Sequence, residues 1–275
     1  MSDVFKNPPP AFSNDYVFDI IKKHFDISPS LTPLVSDRDQ NFKITEGEKS
    51  HIFKIANSAE SRSVLEMQNS ALSYISKKDD SIEIPQPVKT IDGHDILSIE
   101  STNTKYHARL LTYVDGVFLK DVKPTNGTTF SVGKFLGYLD KGLVGFDHRA
   151  AKREFIWDVS QVSLLESNLT KDDFDLITFF INSFKHDISS LMNDFPKTII
   201  HNDGNDHNIL VDSWNRVKGI IDFGDMIHSF RVIEPSVAMA YIAIEDNNFE
   251  LIASLIKGYH SIVPLSMEEL KAAIY

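Results

Sequence analysis

Residues 199–210 read IIHNDGNDHNIL. Two His, two Asp and three Asn surround a lone Gly, and aliphatic residues close the stretch at both ends. A loop of this polarity, set between two apolar runs that read as buried strands, is a tight constraint. Hydrogen-bonding groups brought to the edge of a core need partners there. The residues that follow, NILVDSWNRVKGIIDFGD, read as a hairpin. Asp212, Ser213, Trp214 and Asn215 supply its turn, between apolar ILV and VKGII. Folded at its midpoint, the hairpin sets Asn208 opposite Asp222 at the open end. Asp203 precedes Asn208 on the loop that leads in. Two carboxylates and one amide oxygen therefore converge.

That convergence has a chemical use. Phosphoryl transfer asks a protein mainly for positioning and charge stabilisation. Mg²⁺ takes hard oxygen ligands, typically one or two carboxylates with phosphate oxygens and water. Asn208 and Asp222 are candidate metal ligands. Asp203 is the candidate base for the proton of an attacking hydroxyl. His201-x-Asp203-x₄-Asn208, followed by Asp222-Phe223-Gly224, matches the order of the catalytic and metal loops of kinases. Either motif alone is more often structural than catalytic. Joined in order by a hairpin, behind a sheet-rich segment with a strand lysine, they point to a kinase fold. His201 reads as a core histidine that braces the loop, and His207 as a bystander more readily than a substrate contact.

The rest of the chain fits two lobes. Strand-like runs LTPLV, NFKI, HIFKIAN, EIPQPVKT, GHDILSIE and YHARLLTYV are interrupted by one amphipathic helix, SRSVLEMQNSALSYIS. An earlier helix, SNDYVFDIIKKHF, opens on a Ser/Asn/Asp cap. Beyond LTYVDG the texture turns helical, with TTFSVGKFLGYLDKGLVGF and DDFDLITFFINSFKHDISSLMND, the second strongly apolar on one side. The expected class is α+β, a two-lobed protein-kinase-like fold. Residues 1–111 form an antiparallel-sheet N-lobe and residues 112–275 a mainly helical C-lobe. Residues 1–11, with three consecutive prolines, are expected to be loose.

Composition narrows the partners. Net charge is −11 and no Lys/Arg cluster appears, which argues against nucleic acid and anionic membranes. Acidic balance suits a small cationic substrate. With no cysteine there is no disulfide or thiolate chemistry. No signal-peptide pattern and no run of about 18 apolar residues is present, so a cytoplasmic location is expected.

HNDGNDHNIL with GIIDFGDMIHSFRVIEPSVAMAYI resembles the aminoglycoside and choline kinase-like superfamily. More narrowly, it resembles the hydroxylysine kinase-like branch, which includes kinase domains fused to class-III aminotransferases. VSDRDQNFKI, HIFKIAN, LEMQNSALSYI, RLLTYVDG and LGYLDKGLVGFDHRAAKREFIWDV extend the resemblance over most of residues 30–245. It implies Mg²⁺, ATP or GTP as co-substrate, and a small hydroxylated amine or amino acid as acceptor. Lys54 matches the strand lysine that grips nucleotide phosphates. Its helix partner is Glu66 or Gln68, which do not share a helix face. The usual Gly-rich loop is absent. Ser36, Asp37, Arg38 and Gln40 stand in its place, with Gln40 a candidate nucleotide contact. Leu111, Thr112 and Val114 fall where a hinge would meet the purine edge.

A cationic acceptor needs carboxylates or an aromatic face near Asp203. Asp225, Glu234, Asp206 and Trp157 with Asp158 are the candidates. Trp157 reads more readily as core packing, and Arg231 as the ion partner of Glu234. Homoserine, choline, ethanolamine and aminoglycosides are alternative acceptors. A non-catalytic kinase-like binding module is the alternative of another class, and failure to bind Mg-nucleotide would favour it. A protein kinase fits poorly, because VIEPSVAMAYIAI follows DFG too soon for an activation segment. SMEELKAAIY opens on a capping box, Ser266 with Glu269, and stops after a few turns. That ending reads as a fragment of a longer protein, compatible with a fused C-terminal domain.

Overall fold

The computed structural model describes residues 7–79, 82–101, 104–166, 174–245 and 248–274. The chain divides into two compact units. One is Met1–Ser73 with Ile84–Val114, and the other is Tyr74–Glu83 with Asp115–Tyr275. No described helix is long and apolar enough to cross a membrane.

In the first unit, helix α1 (Asn14–Phe25) starts at Ser13, whose hydroxyl accepts the Tyr16 N–H. Strands β1 (Ser30–Leu34), β2 (Gln40–Glu46) and β3 (Lys49–Ile55) follow, then helix α2 (Arg62–Lys78). Strands β4 (Pro87–Val88), β5 (Leu97–Ser101) and β6 (Thr104–Thr112) complete the unit. The six strands form one antiparallel sheet, ordered β1-β2-β3-β6-β4, with β5 also on β6. Strand alternation divides its faces. Phe42, Ile44, Phe53, Ile55, Ala108 and Leu110 bury one face against Val17 and Ile21 of α1. Each large aliphatic or aromatic side chain so buried contributes about 1.5–3 kcal/mol. The other face carries a polar row across three strands, because the register sets Asn41 opposite Lys54 and Lys54 opposite Arg109. Helix α2 covers that row through Gln68 and Asn69.

Residues 7–12 are pinned rather than loose. Asn57 Nδ2 donates to the carbonyls of Asn7 (3.1 Å) and Pro8 (3.3 Å), and Pro10 is buried. The expectation for residues 1–6 lies outside the described residues. The prolines cost little here, since a segment held through its carbonyls needs no N–H donors.

The second unit begins with β7 (Val117–Phe118) and α3 (Asn126–Leu143), the latter opened by a capping box between Thr125 and Thr128. Short α4 (Ser163–Glu166) and α5 (Phe174–Asp187) follow. The apolar side of α5 is only partly used: Ile181 is buried, whereas Leu176, Phe179 and Phe180 are exposed. Asp172 and Asp173, expected in that helix, lie outside the described residues. Then come β8 (Lys197–Ile200), β9 (Ile209–Val211), β10 (Val217–Ile220), β11 (Ile227–Phe230), α6 (Ile233–Glu245), α7 (Phe249–His260) and α8 (Met267–Ala272). Two small sheets result, β10-β9-β7 and β11-β8. The loop from β8 to β9 and the loop from β10 to β11 both pass from one sheet to the other. These loops carry the two motifs.

Candidate active site

His201 directly follows β8 and is fully buried. Its Nδ1 accepts the Asp203 N–H (3.3 Å), so Nε2 carries the proton and donates to the Ile221 carbonyl (3.1 Å). Burial lowers the imidazole to about 4, which keeps it neutral, as this pair of bonds requires. Phe223 meets the ring edge to face, with centroids 4.6 Å apart. One histidine thus ties the two loops together as a brace.

Asn202 adopts a left-handed backbone, φ 65°, which Asn tolerates better than most residues. Its N–H donates to Glu234 Oε2 (2.9 Å) and its side-chain amide to the Trp157 carbonyl (3.3 Å). The chain turns there and presents Asp203. Both carboxylate oxygens of Asp203 are held by amides: Oδ1 by Asn205 Nδ2 and Oδ2 by Asn208 Nδ2, each at 2.6 Å. Asn205 Oδ1 in turn accepts the N–H groups of His207 (2.9 Å) and Asn208 (3.1 Å), closing the loop as an Asx turn. Partial burial, with the charges of Asp225 and Asp222, pushes Asp203 up to about 7, against the two amides. A divalent cation would oppose that rise.

The hairpin forms, but its register differs from the expected one. The pairing slips between Val217 and Gly219, so Ile209 faces Ile220, the Ile221 N–H donates to the Asn208 carbonyl (2.9 Å), and Asp222 falls one residue beyond the position opposite Asn208. Asp222 follows, with φ 58° and ψ 77°, and its Oδ1 accepts the Gly224 N–H (3.2 Å). Asn208 spends its amide nitrogen on Asp203, which turns its carbonyl oxygen to the opposite side of the amide. An amide oxygen and a carboxylate at the mouth of one hairpin fit a hard cation completed by phosphate oxygens.

The acceptor candidates separate. Asp225 is buried in the turn after Asp222 and acts electrostatically on Asp203. Asp206 accepts from His207, 3.0 Å away, on the same loop. Glu234 is fully buried and bound to the loop backbone, so it supports the loop from below and offers no surface to an acceptor. Arg231 does not pair with it. The guanidinium instead makes a two-pronged ion pair with Glu269 (2.8 and 2.9 Å), which anchors α8. Trp157 is 54% exposed and not core, because its neighbour Asp158 takes the buried place. Tyr241 on α6 escaped the sequence reading. Burial first, with the fields of Asp203, Asp206 and Asp225, pushes its phenol up. Nothing in the spacing of α6 marks it. Asn205 itself had a local signal, as the second Asn of an Asn-x-x-Asn pair within the loop.

In the first unit, Lys54 is buried in the polar row. Gln68 accepts from Arg109, as does Asn69 Oδ1 (2.9 Å). Glu66 forms a surface ion pair with Arg62 (2.9 Å). Gln40 clamps the backbone of Phe12 through both ends of its amide, each at 2.8 Å. Leu111 is flanked by Ile52 and Pro87, and Thr112 exchanges two bonds with Gln86 (2.9 Å each). Val114 lies past the paired strand.

The geometry agrees with what the chain is similar to. The family model described as "Phosphotransferase enzyme family" matches residues 30–270. Hydroxylysine kinase of Xenopus laevis is 32% identical, over 98% of this chain and 80% of that protein. A solved microcompartment-associated aminopropanol kinase superposes with a TM-score of 0.76 at 18% identity, over 95% of this chain and 86% of that one. Amicoumacin kinase hAmiN, solved in complex with AMP-PNP, Ca²⁺ and Ami, gives 0.74 at 15% identity, over 93% and 79%. A family match over most of the chain, with a hydroxylysine kinase 32% identical to it, leads to one conclusion: this protein belongs to the phosphotransferase enzyme family, as a small-molecule kinase acting on a hydroxyl group.

Proposed function

We propose that the chain moves the terminal phosphoryl group of ATP or GTP to the hydroxyl of a small amino-bearing acceptor, with 5-hydroxylysine the first candidate. The observation that carries this reading is the Asp203 carboxylate, gripped on both oxygens, with the Asp225 and Asp222 charges close enough to raise it and the Tyr241 phenol within its field. Similarity to hydroxylysine kinases over nearly the whole chain supports the acceptor class.

The geometry supports a role for each residue. Asp203 accepts the hydroxyl proton as the acceptor oxygen bonds to phosphorus and the bond to the diphosphate breaks. A carboxylate within hydrogen-bond reach of that hydroxyl can take the proton and pass it on. Asn205 and Asn208 prevent the carboxylate from rotating. Asn208 and Asp222 would hold Mg²⁺, which when bound offsets charge on the transferred group. Lys54 is the proposed phosphate contact. Gln40, Glu66 and Gln68 have structural partners, and among the hinge residues Val114 is the better donor or acceptor for a base edge. Asp225, Asp206 and the Tyr241 ring would hold an ammonium group, with Trp157 as a second aromatic surface.

The test is an acceptor panel. Mg²⁺-dependent nucleoside diphosphate release is measured with ATP and GTP against 5-hydroxylysine, homoserine, choline, ethanolamine and an aminoglycoside. Turnover should be highest with 5-hydroxylysine. Preference for choline or an aminoglycoside would move the acceptor assignment, and no turnover with any pair would contradict the reading.

A further inference from the structure

Arg153 is remote in sequence from both motifs, yet it grips one of them. Its Nη2 donates to the carbonyls of Gly224 (2.9 Å) and Met226 (3.2 Å). Those carbonyls straddle Asp225 in the loop that Asp222 opens. The guanidinium lies 4.3 Å from the centroid of the buried Phe155 ring, so packing aims it.

The segment around Arg153 is itself tied down. Gln161 closes it, donating to the Arg153 carbonyl (3.3 Å) and Asp158 Oδ2 (2.9 Å) and accepting the Phe155 N–H (3.3 Å). Ser229 of β11 donates to the buried Asp158 Oδ1 (2.9 Å). The Trp157 carbonyl receives Asn202 of the catalytic loop (3.3 Å). One short stretch therefore grips the catalytic loop, the metal loop and the strand behind them.

The metal loop needs such a hold. Asp222 sits in the left-handed region, where a side chain bearing Cβ is disfavoured. Its own carboxylate secures the N–H of Gly224 (3.2 Å), and Arg153 secures the carbonyl of the same residue. Gly224 is thus held at both of its backbone polar groups, by one ligand candidate and one cation. We propose that Arg153 is a positioning residue that sets the Asp222 carboxylate for the metal by fixing the Gly224 and Met226 carbonyls. The proposal rests on the reading of Asp222 as a metal ligand.

The test measures affinity, by calorimetry on the full chain, for ATP and for GTP with and without Mg²⁺. The compared quantity is the gain in affinity that Mg²⁺ brings. Arg153→Met should lose about tenfold or more of that gain, the cost typical of removing a group that orients a metal ligand, while metal-free affinity stays near that of the unmodified chain. Arg153→Lys should fall between, since an ammonium can reach a carbonyl but lacks the planar fork. Asp222→Asn separates the two readings. If it keeps the full Mg²⁺ gain, the metal assignment fails whatever Arg153 does. If it loses the gain while Arg153→Met and Arg153→Lys keep it, the positioning role alone is overturned. Equal loss of metal-free and metal-dependent affinity in Arg153→Lys would also overturn it, as would absence of any Mg-nucleotide binding by the unmodified chain. Circular dichroism identifies an Arg153→Met chain that has not folded, and Arg153→Lys then decides.

Discussion

Glu234 is one of the supports of the loop that presents Asp203. It is fully buried, accepts the N–H of the left-handed Asn202, and is raised by burial to about 7. Asp140 on α3, also buried and facing Glu234, Tyr259 and Arg231, is pushed up as well, by burial first and by the charge of Glu234 second. In the unfolded chain both groups titrate near the ordinary carboxylate value, about 4. A folded value above the unfolded one means that the contribution is full below about pH 4 and is lost as pH climbs through about 7. Urea unfolding followed from about pH 5 to about pH 8 should therefore show the native chain losing stability, on the order of a few kcal/mol. Glu234→Gln keeps an acceptor for Asn202 and removes the charge, so its loss over the same range should be smaller. Equal slopes for the two proteins would contradict this account of the residue.

At the level of elements, α3 and α7 meet where neither has a side chain to spare. A Cβ at Gly133 would overlap the Leu255 carbonyl oxygen, and one at Gly258 would overlap that of Phe130. These obstacles are backbone, so relief requires the helices to move apart. Gly133→Ala should cost about 1–3 kcal/mol despite its better helix propensity, seen as a lowered thermal midpoint. An unchanged or raised midpoint would contradict the close packing. The elements that position the site were legible in sequence for a local reason. The apolar runs ILV and VKGII, with turn residues between them, announce the hairpin and bring Asn208 and Asp222 to its open end, but the slip between Val217 and Gly219, which no spacing encodes, moves Asp222 one residue past Asn208. The partners of Arg231, Arg109 and Glu234 were not legible in this way. Arg231 reaches Glu269 and Arg109 reaches Gln68 across 38 and 41 residues, respectively. No spacing rule encodes such pairings. Tyr241 is similar, since only the packing of α6 brings its phenol to Asn205 and the acidic cluster.

For the whole molecule, the residues of the proposed chemistry fall on both units. In the first, Lys54 lies buried in a polar row beneath α2, and in the second, Asp203, Asn208 and Asp222 lie on loops between two small sheets. The most direct test of the central claim compares the unmodified chain with Asp203→Asn, in phosphate transfer to the best acceptor and in affinity for Mg-nucleotide. Asparagine keeps the size of the side chain and removes its capacity to take a proton at neutral pH. The account predicts that kcat falls about a hundredfold or more while nucleotide affinity stays close to that of the unmodified chain. Turnover by Asp203→Asn at the unmodified rate would contradict it.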